Sequence, residues 1–266
     1  VLVVAKRIGP RLEWNLLLTV DDGEAAMKPV AGCKTLAVNL GWRSFGIDDG
    51  GLRVGYAVGS DGYREDVRVP PAFIAGMEHV RGLGETRAKM FEQAKRTLKD
   101  WIESDAVPLP VWLEDEVKWV GHWRSPKKLV RLLGMWKGGR FEGDESRRFP
   151  GDVEIFETLQ RWKKQDVHLW RWESGERERL LRMRKDVYRV IAAKWAVNYG
   201  LVIVTDMDLR VFAQKEAPED RDGKGRDVRV SQRHAAPSEL RAAIKNGCST
   251  RGTRFEEVKA VVSKEG

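Results

Sequence analysis

Two stretches of this 266-residue chain concentrate side chains suited to meeting a polyanion. From Glu176 to Asn198, seven Lys/Arg stand against three acids. Among them Arg177, Arg182, Arg184 and Lys185 crowd an apolar stripe of Leu180, Met183, Val187, Ile191 and Trp195 at helical spacing. Between residues 112 and 172 lie seven of the eleven Trp, and Arg124, Lys127, Lys128 and Arg131 surround two of these, Trp123 and Trp136. Cations on an exposed helix hold phosphates through sequence-independent, salt-sensitive contacts. Aromatic rings interleaved with cations stack on unpaired bases. Each pattern also has a plainer explanation. A basic helix can be a solvated face laced with i,i+4 pairs such as Glu178–Arg182, and Trp most often anchors a small core. Most of the Trp read as core, leaving Trp123 and Trp136 as the stacking candidates.

Other chemistries find less support. The histidines His79, His122, His168 and His234 share no metal-ligand spacing, and Cys33 and Cys248 lie far apart, so neither a zinc module nor a disulfide scaffold is expected. No Walker-type or dinucleotide-type glycine pattern appears, and no small-molecule substrate is expected. Asp206 and Asp208 follow a short apolar run. On a strand they share one face, and Thr205 takes the other. Composition agrees with a nucleic-acid partner: 48 Lys+Arg against 40 Asp+Glu give a net charge of +8, and 42% hydrophobic residues suffice for a packed core. No run approaches the length of a membrane helix, so no membrane partner is expected. The first residue is Val1, not Met, and the chain shows no charged n-region followed by an apolar h-region, so the expected setting is cytoplasmic and the chain is expected to be a piece of something longer.

These residues need elements to position them. Val1–Lys6 and Leu12–Val20 read as a hairpin too small to fold alone. Thr35–Trp42, Gly51–Val58 and Tyr63–Val69 read as three antiparallel strands joined by Asp-Gly turns. Phe73–Ile102 is a long helix or two, and Glu176–Asn198 is the clearest helix in the chain. Leu201–Thr205 is a buried strand, Glu216–Asp227 a charged loop, Pro237–Asn246 a helix and Phe255–Val262 a last strand. Three strands, helices, a strand, a helix and a strand make the element order of an α/β, RNase H-like fold.

Four segments together resemble a known group. "LAVNLGWRSFG" (Leu36–Gly46) resembles the first RuvC motif of type V CRISPR effectors and of the transposon-encoded RNA-guided nucleases related to them. "YGLVIVTDMDLRVFA" (Tyr199–Ala213) resembles the second motif, and His234–Val258 resembles the helix and strand leading toward a zinc ribbon. "RIGPRLEWNLLLTV" (Arg7–Val20) resembles a wedge-domain strand, most of all in the compact type V-M branch. The resemblance implies a RuvC-like mixed sheet with flanking helices over residues 31–266, a helical insertion at about 104–175, and a hairpin at 1–30 from a neighbouring wedge domain. It also implies guide RNA and target DNA as partners, with Arg43 joining the phosphate-binding residues.

The departures carry a further implication. The family places Asp in the first motif and Glu in the second, where this chain has Asn39 and Thr205, and it ends before a third motif. Two-metal phosphodiester hydrolysis clamps both reacting oxygens between cations, and Mg²⁺ takes hard, usually anionic oxygen ligands. With two formal charges missing, Asn39, Thr205, Asp206 and Asp208 form a degenerate catalytic set. The expectation is a binding domain without cofactor or bound metal, deficient in cutting. The rivals are a Mg²⁺-dependent endonuclease, in which Asp206 and Asp208 act with a further carboxylate such as Asp48 or Asp49, and a protein-interaction scaffold.

Overall fold

The computed structural model describes residues 2–8, 11–17, 34–44, 51–104, 107–139, 145–206, 231 and 233–259. The charged loop expected at Glu216–Asp227, and Asp48, Asp49, Cys33 and Asp208 lie outside them. In chain order the elements are β1 (Leu2–Ile8), β2 (Arg11–Leu17), β3 (Thr35–Ser44), β4 (Leu52–Gly59), β5 (Arg64–Val69), α1 (Pro71–Glu103), α2 (Val111–Val117), α3 (Pro126–Lys137), α4 (Val153–Asn198), β6 (Leu201–Asp206), α5 (Pro237–Arg251) and β7 (Arg254–Lys259). Two compact units divide the chain. One holds Val1–Leu2, Leu16–Glu78 and Arg177–Gly266, and the other holds Val3–Asn15 and His79–Glu176. Strands β1 and β2 pair with each other. Among the described residues no helix is long and apolar enough to cross a membrane.

The first unit is built on a five-stranded sheet in the order β5-β4-β3-β6-β7. Strands β3, β4 and β5 form an antiparallel meander, and β6 and β7 join it in parallel. This is the mixed α/β sheet of an RNase H-like fold. Alternation decides which side is covered. Leu36, Val38 and Leu40 of β3 and Val202 and Val204 of β6 are buried, so they face the helices. The buried line of α4 in this unit is Leu180, Arg184, Tyr188, Ala192, Trp195 and Ala196, and buried Tyr199 follows just past the helix end. It differs from the stripe read by hydrophobicity: Met183, Val187 and Ile191 are only half-buried. The helix is locked by polar anchors as well as by apolar contact. The Tyr188 hydroxyl donates to the Ala235 carbonyl, Thr253 Oγ1 donates to the Ala196 carbonyl at 2.6 Å, and Trp195 Nε1 donates to Glu65 at 3.0 Å. Gly59 makes room for Tyr199, because a Cβ there would lie 2.5 Å from its hydroxyl oxygen.

Helix α4 runs for 46 residues, beginning well before the Glu176 start read from sequence. Its polar run through Ser174 and Gly175 looks like a break but is not one. Arg87 of α1 donates to Asp166 at 2.9 Å and to Glu173 at 2.8 Å, so the acids of this stretch are bound to a neighbouring helix.

The second unit packs a separate core of Phe91, Leu98, Leu113, Leu129, Leu133, Trp136, Leu159 and Trp162. The stacking expectation for Trp123 and Trp136 is corrected here: they are 4% and 0% exposed. Trp136 Nε1 donates to Asp152 at 2.6 Å, and its ring stacks on Phe149. A ring enclosed in this way has no face left for a base. Asp152 also accepts two hydrogen bonds from Arg148, at 2.8 Å each, and one from the Phe149 N–H. Burial pushes the Asp152 carboxyl upward, but these donors outweigh it and hold the pKa below the ordinary value.

Candidate functional site

Apolar β-branched and leucine side chains alternate inward along β3 and β6, which fixes what the opposite face presents. Val38 pairs with Val204 in parallel register, so the next residues, Asn39 and Thr205, stand side by side on that face. Their side chains meet. Thr205 Oγ1 donates to Asn39 Oδ1 at 3.1 Å and accepts the Leu40 N–H at 3.0 Å. Asn39 is exposed and Thr205 half-buried. The pair is neutral, and the amide oxygen already accepts a hydrogen bond. Asp206 ends β6 opposite Lys259 of β7.

Beside Asn39 opens a cavity of about 400 Å³, lined by Trp42, Arg43, Arg53, Gly55 and Tyr56 among others. Arg43 reaches this rim from the end of β3, where it pairs across the sheet with Arg53. Arg53 and Arg68 both bond Asp66, at 3.4 and 3.0 Å. The hydrogen bond from Arg68 leads in holding the Asp66 carboxyl below its ordinary pKa. Sequence reading named Arg43 but not its cavity neighbours Arg53 and Tyr56. The hairpin register, which sets 53 across from 43 and 56 across from 39, is the signal that finds them.

The other basic residues fall into separate groups. Arg124, Lys127, Lys128 and Arg131 lie in the second unit, all exposed, with Arg131 bonded to Glu116 at 2.6 Å. Arg177, Arg182 and Lys185 are exposed on α4, where Arg182 meets Glu178 at 3.3 Å and Lys185 reaches Glu239 at 3.8 Å. Arg184 departs from its expected phosphate role. It is 6% exposed, donates to Glu239 at 2.7 Å and to the Arg233 and His234 carbonyls, and lies over the Phe73 ring. The helical period turns position 184 inward with Leu180 and Tyr188, and the charge is satisfied there.

Hydrolases of this fold hold two divalent ions between carboxylates. Asn39 and Thr205 do not fit that role: a bonded amide oxygen and a hydroxyl offer no formal charge to offset the repulsion of two close cations. Among the described residues no three His, Cys, Asp or Glu cluster as metal ligands.

The sheet order and the side-by-side placing of this pair on the neighbouring parallel strands β3 and β6 define the class, an RNase H-like α/β domain. No family model matches the chain. Whole-chain comparison with curated proteins is more informative. The chain is 33% identical over 251 residues to the CRISPR-associated DNA-binding protein Cas12m of Allomeiothermus silvanus, covering 92% of this chain and 44% of that protein. It is 28% identical to the Cas12m of Thermanaerosceptrum fracticalcis (97% and 42%) and 24% identical to that of Mycolicibacterium mucogenicum (91% and 41%). The chain is thus related, along nearly all of its length, to the Cas12m proteins of the type V effectors. It spans less than half the length of these relatives.

Proposed function

We propose that this chain is the RuvC-like part of an RNA-guided effector that holds DNA without cutting it. The observation that carries the reading is the Asn39–Thr205 hydrogen bond, a neutral pair where a hydrolase of this fold keeps anions. That the relatives are DNA-binding proteins supports the DNA-holding half of the reading. In such effectors guide pairing reads sequence, while the protein meets the backbone. Arg43, Arg124, Lys127, Lys128, Arg177, Arg182 and Lys185 supply that backbone contact here. Residues 1–30 belong on this reading to a wedge domain, and residues 31–266 to the RuvC-like domain with its insertion at about 104–175. The effector works in the cytoplasm with guide RNA and target DNA, and its effect is to block transcription or replication.

The chain by itself should bind DNA weakly and without sequence preference, with log K falling linearly as log salt rises. Fluorescence anisotropy with unrelated duplexes at graded salt checks this. Absent or salt-insensitive binding would favour the protein-scaffold reading instead.

A further inference from the structure

In the second unit an exposed aromatic ring lies within a run of exposed Lys and Arg. Trp119, between α2 and α3, is 61% exposed, while its neighbours Trp123 and Trp136 are buried. The Lys118 ammonium lies 5.9 Å from the Trp119 ring centroid, and His122 meets the ring edge-on at 5.8 Å. These contacts hold the ring without enclosing it. The intervening Gly121 faces open space, since a Cβ there would touch nothing within 4 Å. From Val117 to Phe141 the sequence carries seven cations and no acid. Lys118, Arg124, Lys127 and Lys128 of this run are all exposed.

We propose that Trp119 is a stacking platform for one unpaired nucleotide of a single-stranded nucleic acid, with Lys118, Arg124, Lys127 and Lys128 meeting the flanking phosphates. The assignment rests on the nucleic-acid-binding reading above and names the surface and the strand form. An indole face suits any base, and the acid-free flank suits a backbone on either side of it. A base inside a duplex is already stacked and offers no face, so the platform selects single strands. Trp172 is the natural control. It is also half-exposed, but His79 lies against its ring at 5.3 Å and the buried Glu173 follows it.

The test measures anisotropy of labelled oligodeoxythymidine and of a blunt duplex of equal length with the 266-residue chain. Trp119→Ala should weaken single-strand binding about tenfold and change duplex binding by less than about twofold. Trp119→Phe should stay within about threefold of the parent chain, and Trp172→Ala should have no effect. Unchanged single-strand affinity in Trp119→Ala, or an equal loss on the duplex, overturns the platform while leaving the general binding reading standing. A parent chain that binds neither form overturns both.

Discussion

The neutral pair at the centre of the sheet can be recharged, and the outcome follows from its geometry. In the parent, Thr205 Oγ1 and Asn39 Oδ1 are 3.1 Å apart and joined by a proton. The double substitution Asn39→Asp with Thr205→Glu removes that proton and sets two anions against each other. Unit charges about 4 Å apart repel by about 1 kcal/mol in water and about 4 kcal/mol at the effective dielectric of a protein surface. Asn39 is exposed and Thr205 half-buried, so the penalty should be about 1–3 kcal/mol. For a chain of this size that lowers Tm by about 2–10 °C. Millimolar Mg²⁺ should restore the lost stability in the variant, because two carboxylates with a cation between them attract instead of repel. The parent should show no comparable Mg²⁺ response. The penalty should also fade as pH falls into the carboxyl range and one of the pair takes up a proton. Differential scanning fluorimetry with and without Mg²⁺ reads all of this. A parent chain stabilised by Mg²⁺ as strongly as the variant, or a variant with unchanged Tm, would refute the reasoning.

Four further substitutions probe the scaffold and its surface charge. Asp152→Asn leaves the buried Trp136 N–H and the Arg148 guanidinium poorly matched and should cost about 2–4 kcal/mol in urea unfolding followed by Trp emission. Because the folded carboxyl is held low, its contribution is full above about pH 4 and is lost as pH falls through the lower folded value, a loss the variant should lack. Gly59→Ala should destabilise by about 1–3 kcal/mol, since its Cβ would sit 2.5 Å from Asp61 Oδ1 and the Tyr199 hydroxyl; thermal melts give the value. Arg184→Met should cost about 3–5 kcal/mol yet leave the salt slope of DNA binding unaltered, whereas Lys185→Ala should lower that slope by about 1 with little effect on stability.

The strands were the most legible part of the sequence. Leu36–Leu40 and Leu201–Val204 are apolar runs with period-two burial, and they fix both the sheet and the face on which Asn39 and Thr205 meet. Helix α4 was legible only in its second half. Its middle acids are paired with Arg87, and a partner 79 or 86 residues away leaves no local trace. The same limit hid Arg184, whose partners Glu239 and the carbonyls after α4 come from distant sequence. For the Trp residues, flanking Lys and Arg signalled a basic surface correctly but could not say which ring faces it. Trp136 is buried with Lys137 exposed beside it, and Trp119 is exposed with Val120 buried beside it. One helical step separates the two outcomes, and only the packing of α2 and α3 onto the Leu113, Leu129 and Leu133 core decides it.

The most direct measurement of the central claim uses the full-length effector with guide RNA and end-labelled target DNA, with Mg²⁺ and then Mn²⁺, followed on native and denaturing gels. The account predicts a retained complex with both strands intact in either metal. Strand scission that disappears in Asp206→Ala would contradict it.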